Sequence, residues 1–266
     1  MRRAGLLLLL ALAGCEAPSG GKAEAPAQAP QVRNSPPEAE APQPAASSVA
    51  EATADYEFNY SWPAEVTAHP ELARSLAAER DAALAQLKQD TRAERAAAQA
   101  DGFEFRPHGL HMRWLRAADL PRWLSLSAEI SAYTGGAHPN SGFTSLIWDK
   151  RAGRRLQPLE LFQSAGAFDA AVRATFCDKL DAERAERRGA PVNRASGDGF
   201  DECITPSEQT LMLGSGNGRT FDRMTILIGP YAAGPYAEGS YEIDLPVTAA
   251  VLNAVKPELR TEFTAR

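Results

Sequence analysis

Apolar and polar positions divide the chain into stretches with distinct periods. Tyr56, Phe58, Tyr60 and Trp62 alternate with polar residues, the period-two signature of a half-buried strand. Pro70 and Glu71 then open a stretch that carries Leu72, Leu76, Ala83 and Leu87 on one helical face. Its stop falls at Asp101-Gly102, where a left-handed residue is easily placed. Short strands are predicted over His111 to Arg116, over Arg122 to Tyr133 and over Phe143 to Trp148, with a turn at Arg151-Ala152-Gly153. In the second of these, Leu124, Leu126, Ala128, Ile130 and Ala132 share a face. A second helix begins near Ala165 on the row Phe168, Val172, Phe176 and Leu180, and a polar stretch from Asp181 to Asp201 follows. Gln209 to Leu213 and Thr220 to Ile228 flank Gly214-Ser215-Gly216-Asn217-Gly218, a hairpin signal. Tyr241 to Leu245 is a last strand, and Thr248 caps a short helix to Val255. This mixed order, with hairpins in place of regular βαβ repeats, predicts an α+β fold over residues 55–266. Its sheet is mainly antiparallel, packed with two longer helices and a short final helix. A boundary near residue 160, dividing two subdomains, stays open.

The N-terminus has a different pattern. Arg2 and Arg3 precede an apolar run from Leu6 to Leu12, too short for a permanent span and typical of a signal peptide over residues 1–14. The run ends in Leu12-Ala13-Gly14-Cys15, which looks like a bacterial lipobox with Cys15 as the lipidated residue. Residues 15–54 read as the lipidated cysteine and a disordered tether. Seven prolines fall between residues 16 and 52, and Val32 and Val49 are the only branched aliphatics there, too few to offset ordering entropy. The chain is therefore expected in the bacterial envelope, on the periplasmic side. Glu16 after the cysteine weakly favours the outer membrane over the inner one.

Charge and composition narrow the chemistry. The 266 residues carry 34 acids against 28 bases, a net charge of -6, which disfavours general affinity for nucleic acid. Four histidines and three cysteines are too few for a zinc-finger architecture. With Cys15 taken by lipid, an oxidising compartment predicts a disulfide between Cys177 and Cys203. Two separate thiols are the alternative, with Cys177 as an ordinary buried residue of its helix.

The sharpest local feature is the block Tyr133-Thr134-Gly135-Gly136-Ala137-His138-Pro139-Asn140. Gly135 and Gly136 are expected in dihedrals costly for other residues, and Asn140 can close a turn through its side chain. His138 is displayed on this loop, either as a ligand or metal contact or, as the residue types favour, as a brace hydrogen-bonded to backbone carbonyls. Gly229-Pro230-Tyr231 and Gly234-Pro235-Tyr236 form a near-repeat whose tyrosines either make a binding edge or fold back to cap the sheet. His108 and His111 read as loop or strand-start histidines, not a metal pair. The sequence shows no G-x-S-x-G, H-E-x-x-H or G-x-G-x-x-G after a strand, so no catalytic residue, metal or cofactor is assigned.

The block Y-T-G-G-A-H-P-N, followed by Gly153, Leu156 and Leu159-Glu160-Leu161-Phe162, resembles a known domain family. That family includes the secreted domain of the lysozyme-sensing anti-sigma factor RsiV and the accessory region of the peptidoglycan deacetylase PdaC. Pro230-Tyr231, Pro235-Tyr236-Ala237-Glu238-Gly239 and Tyr241-Glu242-Ile243 are similar to the family's ending. The resemblance implies a mixed α/β fold and, as one recognised role, lysozyme binding. The sensors' anti-sigma segment and membrane helix are replaced here by the lipobox and tether, and no deacetylase domain follows. Signalling and deacetylation are therefore not expected to carry over. The expected function is a lipid-anchored, non-enzymatic envelope domain binding a lysozyme-like protein or a peptidoglycan-related glycan. The alternative is a peptidoglycan-acting envelope enzyme or its accessory factor.

Overall fold

In a computed structural model of the chain, residues 45–266 are described. The signal peptide, Cys15 and the tether up to Pro44 lie outside them. The first sheet begins with β1 (Ser47–Ala52) and β2 (Tyr56–Trp62), paired antiparallel with Ser47 opposite Trp62. The tether thus ends earlier than the sequence suggests. β1 has few apolar side chains of its own and is held as an edge strand by backbone pairing to β2, which composition does not reveal.

β2 buries Tyr56, Phe58, Tyr60 and Trp62 on one side, as its alternation predicts. After the short α1 (Ala64–Thr67), α2 (Pro70–Asp101) carries the chain back so that β3 (His108–Asp119) pairs with β2 in parallel. Parallel neighbours need such a crossover. Proline in the first turn of α2 and Gly102 at its end, with φ 72°, set its limits as expected. Its buried stripe of Leu72, Leu76 and Leu87 packs on the aromatic face of β2. Trp114 Nε1 donates to Tyr60 Oη at 2.9 Å beneath the helix, and burial pushes the Tyr60 phenol up.

β3, β4 (Trp123–Tyr133), β5 (Asn140–Asp149) and β6 (Arg154–Leu156) continue as an antiparallel meander, giving the order β1-β2-β3-β4-β5-β6. The turn into β6 is locked by Asp149, which accepts from the Arg151 and Ala152 amides and from Arg122. Burial pushes this carboxyl up, but the Arg122 hydrogen bonds and the two amides more than offset it and hold it below its usual range.

The second layer starts with α3 (Ala165–Arg188), capped by the Ser164 side chain at its N-terminus and by Gly189 at its C-terminus. The row Phe168, Val172, Phe176 and Leu180 is buried. The helix runs beyond the predicted polar boundary at Asp181, because Arg184 and Arg188 find acidic and carbonyl partners on its inner side. β7 (Thr210–Gly214), β8 (Arg223–Ile228) and β9 (Tyr241–Pro246) form a separate antiparallel sheet, with the Gly-rich hairpin joining β7 to β8. Its inner face, with Leu213, Met224, Ile226 and Ile243, packs on α3. α4 (Ala249–Ala254) is capped by Thr248 as predicted, and the C-terminal Phe263 packs on Phe221 and Phe162. The fold is α+β, with a mainly antiparallel six-stranded sheet, a three-stranded sheet, two long helices and a short helix near the end.

Residues on both sides of position 160 share a core. Ala118, Leu120, Trp123, Ile147 and Leu156, all before that position, belong to the same apolar cluster as α3 and β7–β9. The described residues fall in one compact unit. No helix among the described residues is long and apolar enough to cross a membrane.

Candidate functional site

The conspicuous block of the sequence is the tip of the β4–β5 hairpin. Pairing between β4 and β5 ends at Ala132 opposite Asn140 and Tyr133 pairs only with Gly109 of β3, so Thr134 to Pro139 have no ladder partners and depend on side chains for their shape. Tyr133 Oη donates to the Gly136 carbonyl at 2.9 Å, and Arg106 reaches the same oxygen at 3.4 Å. Gly135 has φ 85°, where a side chain is strained. Gly136 does not share this need: its φ lies outside the left-handed region and an added Cβ meets nothing within 4 Å. The expectation of a backbone constraint at both glycines is corrected to one. Asn140 is also corrected, because it opens β5 and makes no side-chain hydrogen bond among the described residues.

The two Gly-Pro-Tyr segments between β8 and β9 come to this tip. The His138 ring stacks on Tyr236, centroids 3.7 Å apart and 20° between planes. Tyr231 lies 5.5 Å from Tyr236 and 6.3 Å from His138, with its hydroxyl 3.4 Å from His138 Nε2. Tyr236 Oη donates to the Pro139 carbonyl at 2.9 Å, and His138 Nδ1 lies 3.0 Å from that oxygen. Three segments of the sequence thus form one aromatic cluster. The chain makes its close approach where Gly229 passes β5; an added Cβ there would lie 3.3 Å from the Ser141 carbonyl.

Tyr231 stands apart within it. It is the one non-glycine residue among those described with positive φ, at 69°, and it is 54% exposed. The Ala232 amide donates back to the Gly229 carbonyl, placing Pro230 second and Tyr231 third in a turn. Positive φ at the third position is the type II geometry, for which glycine is the usual residue. A bulky side chain there costs about 1–2 kcal/mol. Phe103, 74% exposed, is the other large apolar side chain left in solvent among the described residues, and it lines a groove of about 650 Å³ beside Gly135 and Gly136. Sequence reasoning missed Phe103, which sits in the non-periodic stretch after α2.

The tyrosine loop is held from behind by arginines of α3. Arg184, 0% exposed, donates from Nε to the Ala233 carbonyl at 2.8 Å and from Nη1 to the Glu202 carbonyl at 2.9 Å. Arg188 donates from Nε and Nη2 to the Glu238 carboxylate at 2.8 and 3.1 Å, and from Nη1 to Asp201 at 2.7 Å. Arg187 donates to the Glu238 and Ser240 carbonyls, with its guanidinium over the Tyr241 ring. Burial pushes the Glu238 carboxyl up, yet Arg188 and the Tyr241 hydroxyl hold it below its usual range. Cys177 of α3 and Cys203 are bonded, with Cα atoms 5.4 Å apart, and this fastens the segment that supplies the Glu202 carbonyl. These arginines were not singled out from the sequence, because charges late in a helix usually face water.

His108 and His111 lie on β3 and point to opposite faces, as odd spacing in a strand requires. His108 is buried under α2 and His111 is on the uncovered face. Among the described residues no group of three His, Cys, Asp or Glu side chains could hold a metal ion.

Residues 49–141, which run from within β1 through β2 to β4 and the hairpin tip to the start of β5, match the family model described as "Deacetylase PdaC". Nothing among curated proteins matches the chain. A solved structure of a DUF3298 family member from Bacteroides fragilis superposes with a TM-score of 0.53 at 16% identity, covering 82% of this chain and 96% of that one. A DUF3298 family protein from Pseudomonas aeruginosa gives 0.44 at 15% identity, over 85% and 99% of the two chains. The chain is therefore similar over residues 49–141 to the PdaC deacetylase family, and it shares the α+β fold of the DUF3298 member from Bacteroides fragilis.

Proposed function

We propose that this chain is a lipid-anchored, non-enzymatic domain of the bacterial envelope that captures a protein ligand with the hairpin tip. The observation that carries the reading is Tyr231, an exposed aromatic side chain held at positive φ against His138 and Tyr236. Backbone strain of this kind persists where the surroundings impose it and concentrates at ligand sites. Tyrosine supplies large rigid contact area with one polar end, and few rotors are frozen when it binds. Phe103 extends the same surface beside Gly135 and Gly136.

The lipobox at Leu12 to Cys15 and the proline-rich tether support anchoring on the periplasmic side, with Glu16 favouring the outer membrane. Replacement Cys15→Ser is expected to abolish acyl labelling and release the protein from membranes; a labelled, membrane-bound variant overturns the anchor. The resemblance to lysozyme-sensing domains supports a lysozyme-like ligand. A second reading, an accessory factor for a peptidoglycan-acting enzyme, is supported by the match to the PdaC family.

Immobilised lysozyme is a direct probe of the tip. Tyr231→Gly relieves strained backbone but loses ring contacts and gains unfolded-state freedom, so stability should move by no more than about 1 kcal/mol. Capture should nevertheless fall at least tenfold, and His138→Ala should weaken it too. Undiminished capture by Tyr231→Gly, of lysozyme or of proteins retained from envelope extract, removes the tip as the binding surface.

A further inference from the structure

The face of the six-stranded sheet turned away from α2 is only partly covered. Over one half β7 packs on β3, β4 and β5, where Ser145 Oγ donates to the Leu211 carbonyl and Thr210 Oγ1 to that of Phe143. The other half floors a cleft of about 500 Å³. Strand register fixes what lies there. Asn59, His111, Ser131 and Ser141 form one row across β2 to β5, and Ser61, Arg113, Glu129 and Phe143 form the next. Glu242 of β9 walls one side, and the cleft continues past it into a hollow of about 410 Å³ reaching Thr225 and Asp244.

Every side chain in the two rows except Phe143 carries a hydrogen-bonding group. The cation and the anion of the two rows neutralise each other: Arg113 lies 2.7 Å from Glu129. A polyanion finds no free cation here, since Arg223 deeper in the trough also faces a carboxylate, at Asp222, and Arg116 at its margin is turned to Glu65 on the α2 side of the sheet. Glu242 and Asp244 repel it besides. An apolar segment would strip water from the polar rows without replacing its hydrogen bonds. A neutral chain dense in hydroxyl and amide groups satisfies both conditions. Neighbouring strands are about 4.8 Å apart, so the polar groups recur at close to the length of one pyranose in a β-linked chain. Phe143 adds a flat apolar surface for the C–H face of a ring.

We infer that this trough is a binding site for a neutral β-1,4-linked oligosaccharide, separate from the hairpin tip. Calorimetric titration of the full chain with chitohexaose and cellohexaose tests it. Saturable binding of at least one hexaose is expected, weakening at least tenfold on shortening to the disaccharide. Asn59→Ala combined with Glu129→Ala changes only exposed side chains and should weaken binding at least tenfold with an unchanged melting temperature. Ser131→Trp fills the floor and should abolish binding. Tyr231→Gly should leave it intact, which separates this site from the protein-binding tip. Absence of saturable binding to either hexaose overturns the inference. So does binding that survives the Asn59 and Glu129 replacements, or that disappears with Tyr231→Gly.

Discussion

Replacement of Arg184 by alanine is expected to cost about 3–5 kcal/mol, the range for removing one member of a buried ionic and hydrogen-bonded group. The side chain is wholly buried on α3, and three of its interactions end on it: the Ala233 carbonyl, the Glu202 carbonyl and Asp181. Alanine leaves the two carbonyls without their donors, at about 1–3 kcal/mol each where water cannot enter. Asp181 keeps a partner in Arg194 and adds little to the loss. Lysine retains the charge but not the fork that reaches Ala233 and Glu202 together, so Arg184→Lys should recover only part of the stability. Urea unfolding measures the difference directly. Ligand capture should weaken in parallel, because Ala233 lies between Tyr231 and Tyr236 and fixes their loop. A loss of only about 0.5 kcal/mol, typical of a surface substitution, would show that water already serves those carbonyls.

What could be read from the sequence was what local chemistry decides. The aromatic alternation of β2, the proline and glycine limits of α2 and the Asn-Gly hairpin each depend on a few adjacent residues. The members of the candidate site were legible for the same reason, since glycine and proline mark constrained turns. Their meeting was not. Tyr231 and His138 are 93 residues apart, and only the packing of the β8–β9 connection on the start of β5 brings them together. β1 escaped notice because an edge strand draws its stability from its neighbour's backbone. Arg184 escaped because burial of a charge depends on carbonyls 18 and 49 residues away. The open polar rows of the first sheet follow from register across four strands, which no single strand's pattern contains.

Breaking the Cys177–Cys203 bond by replacing both residues with alanine is expected to cost about 3 kcal/mol, chiefly by freeing the unfolded chain from a closed loop. The residues are 26 apart in sequence, and most of the segment between Gly189 and Gly199 is exposed, with little apolar surface to hold it in place. Without the bond, α3 still holds the end of that segment through Arg188 to Asp201 and the Phe200 carbonyl, Arg184 to the Glu202 carbonyl and Arg173 to the carbonyl of residue 203. The segment should then open locally before the rest of the domain unfolds, visible as faster amide exchange around residues 198–204. This links the bond to Arg184. Once the segment can move, the Glu202 carbonyl can turn to water, and Arg184→Ala should cost less than it does in the bonded protein. A double-mutant cycle should show coupling of about 1 kcal/mol, within the range for groups that share a partner segment. Strict additivity would mean that the segment keeps its place without the bond, and that Arg184 acts through Ala233 and the tyrosine loop alone.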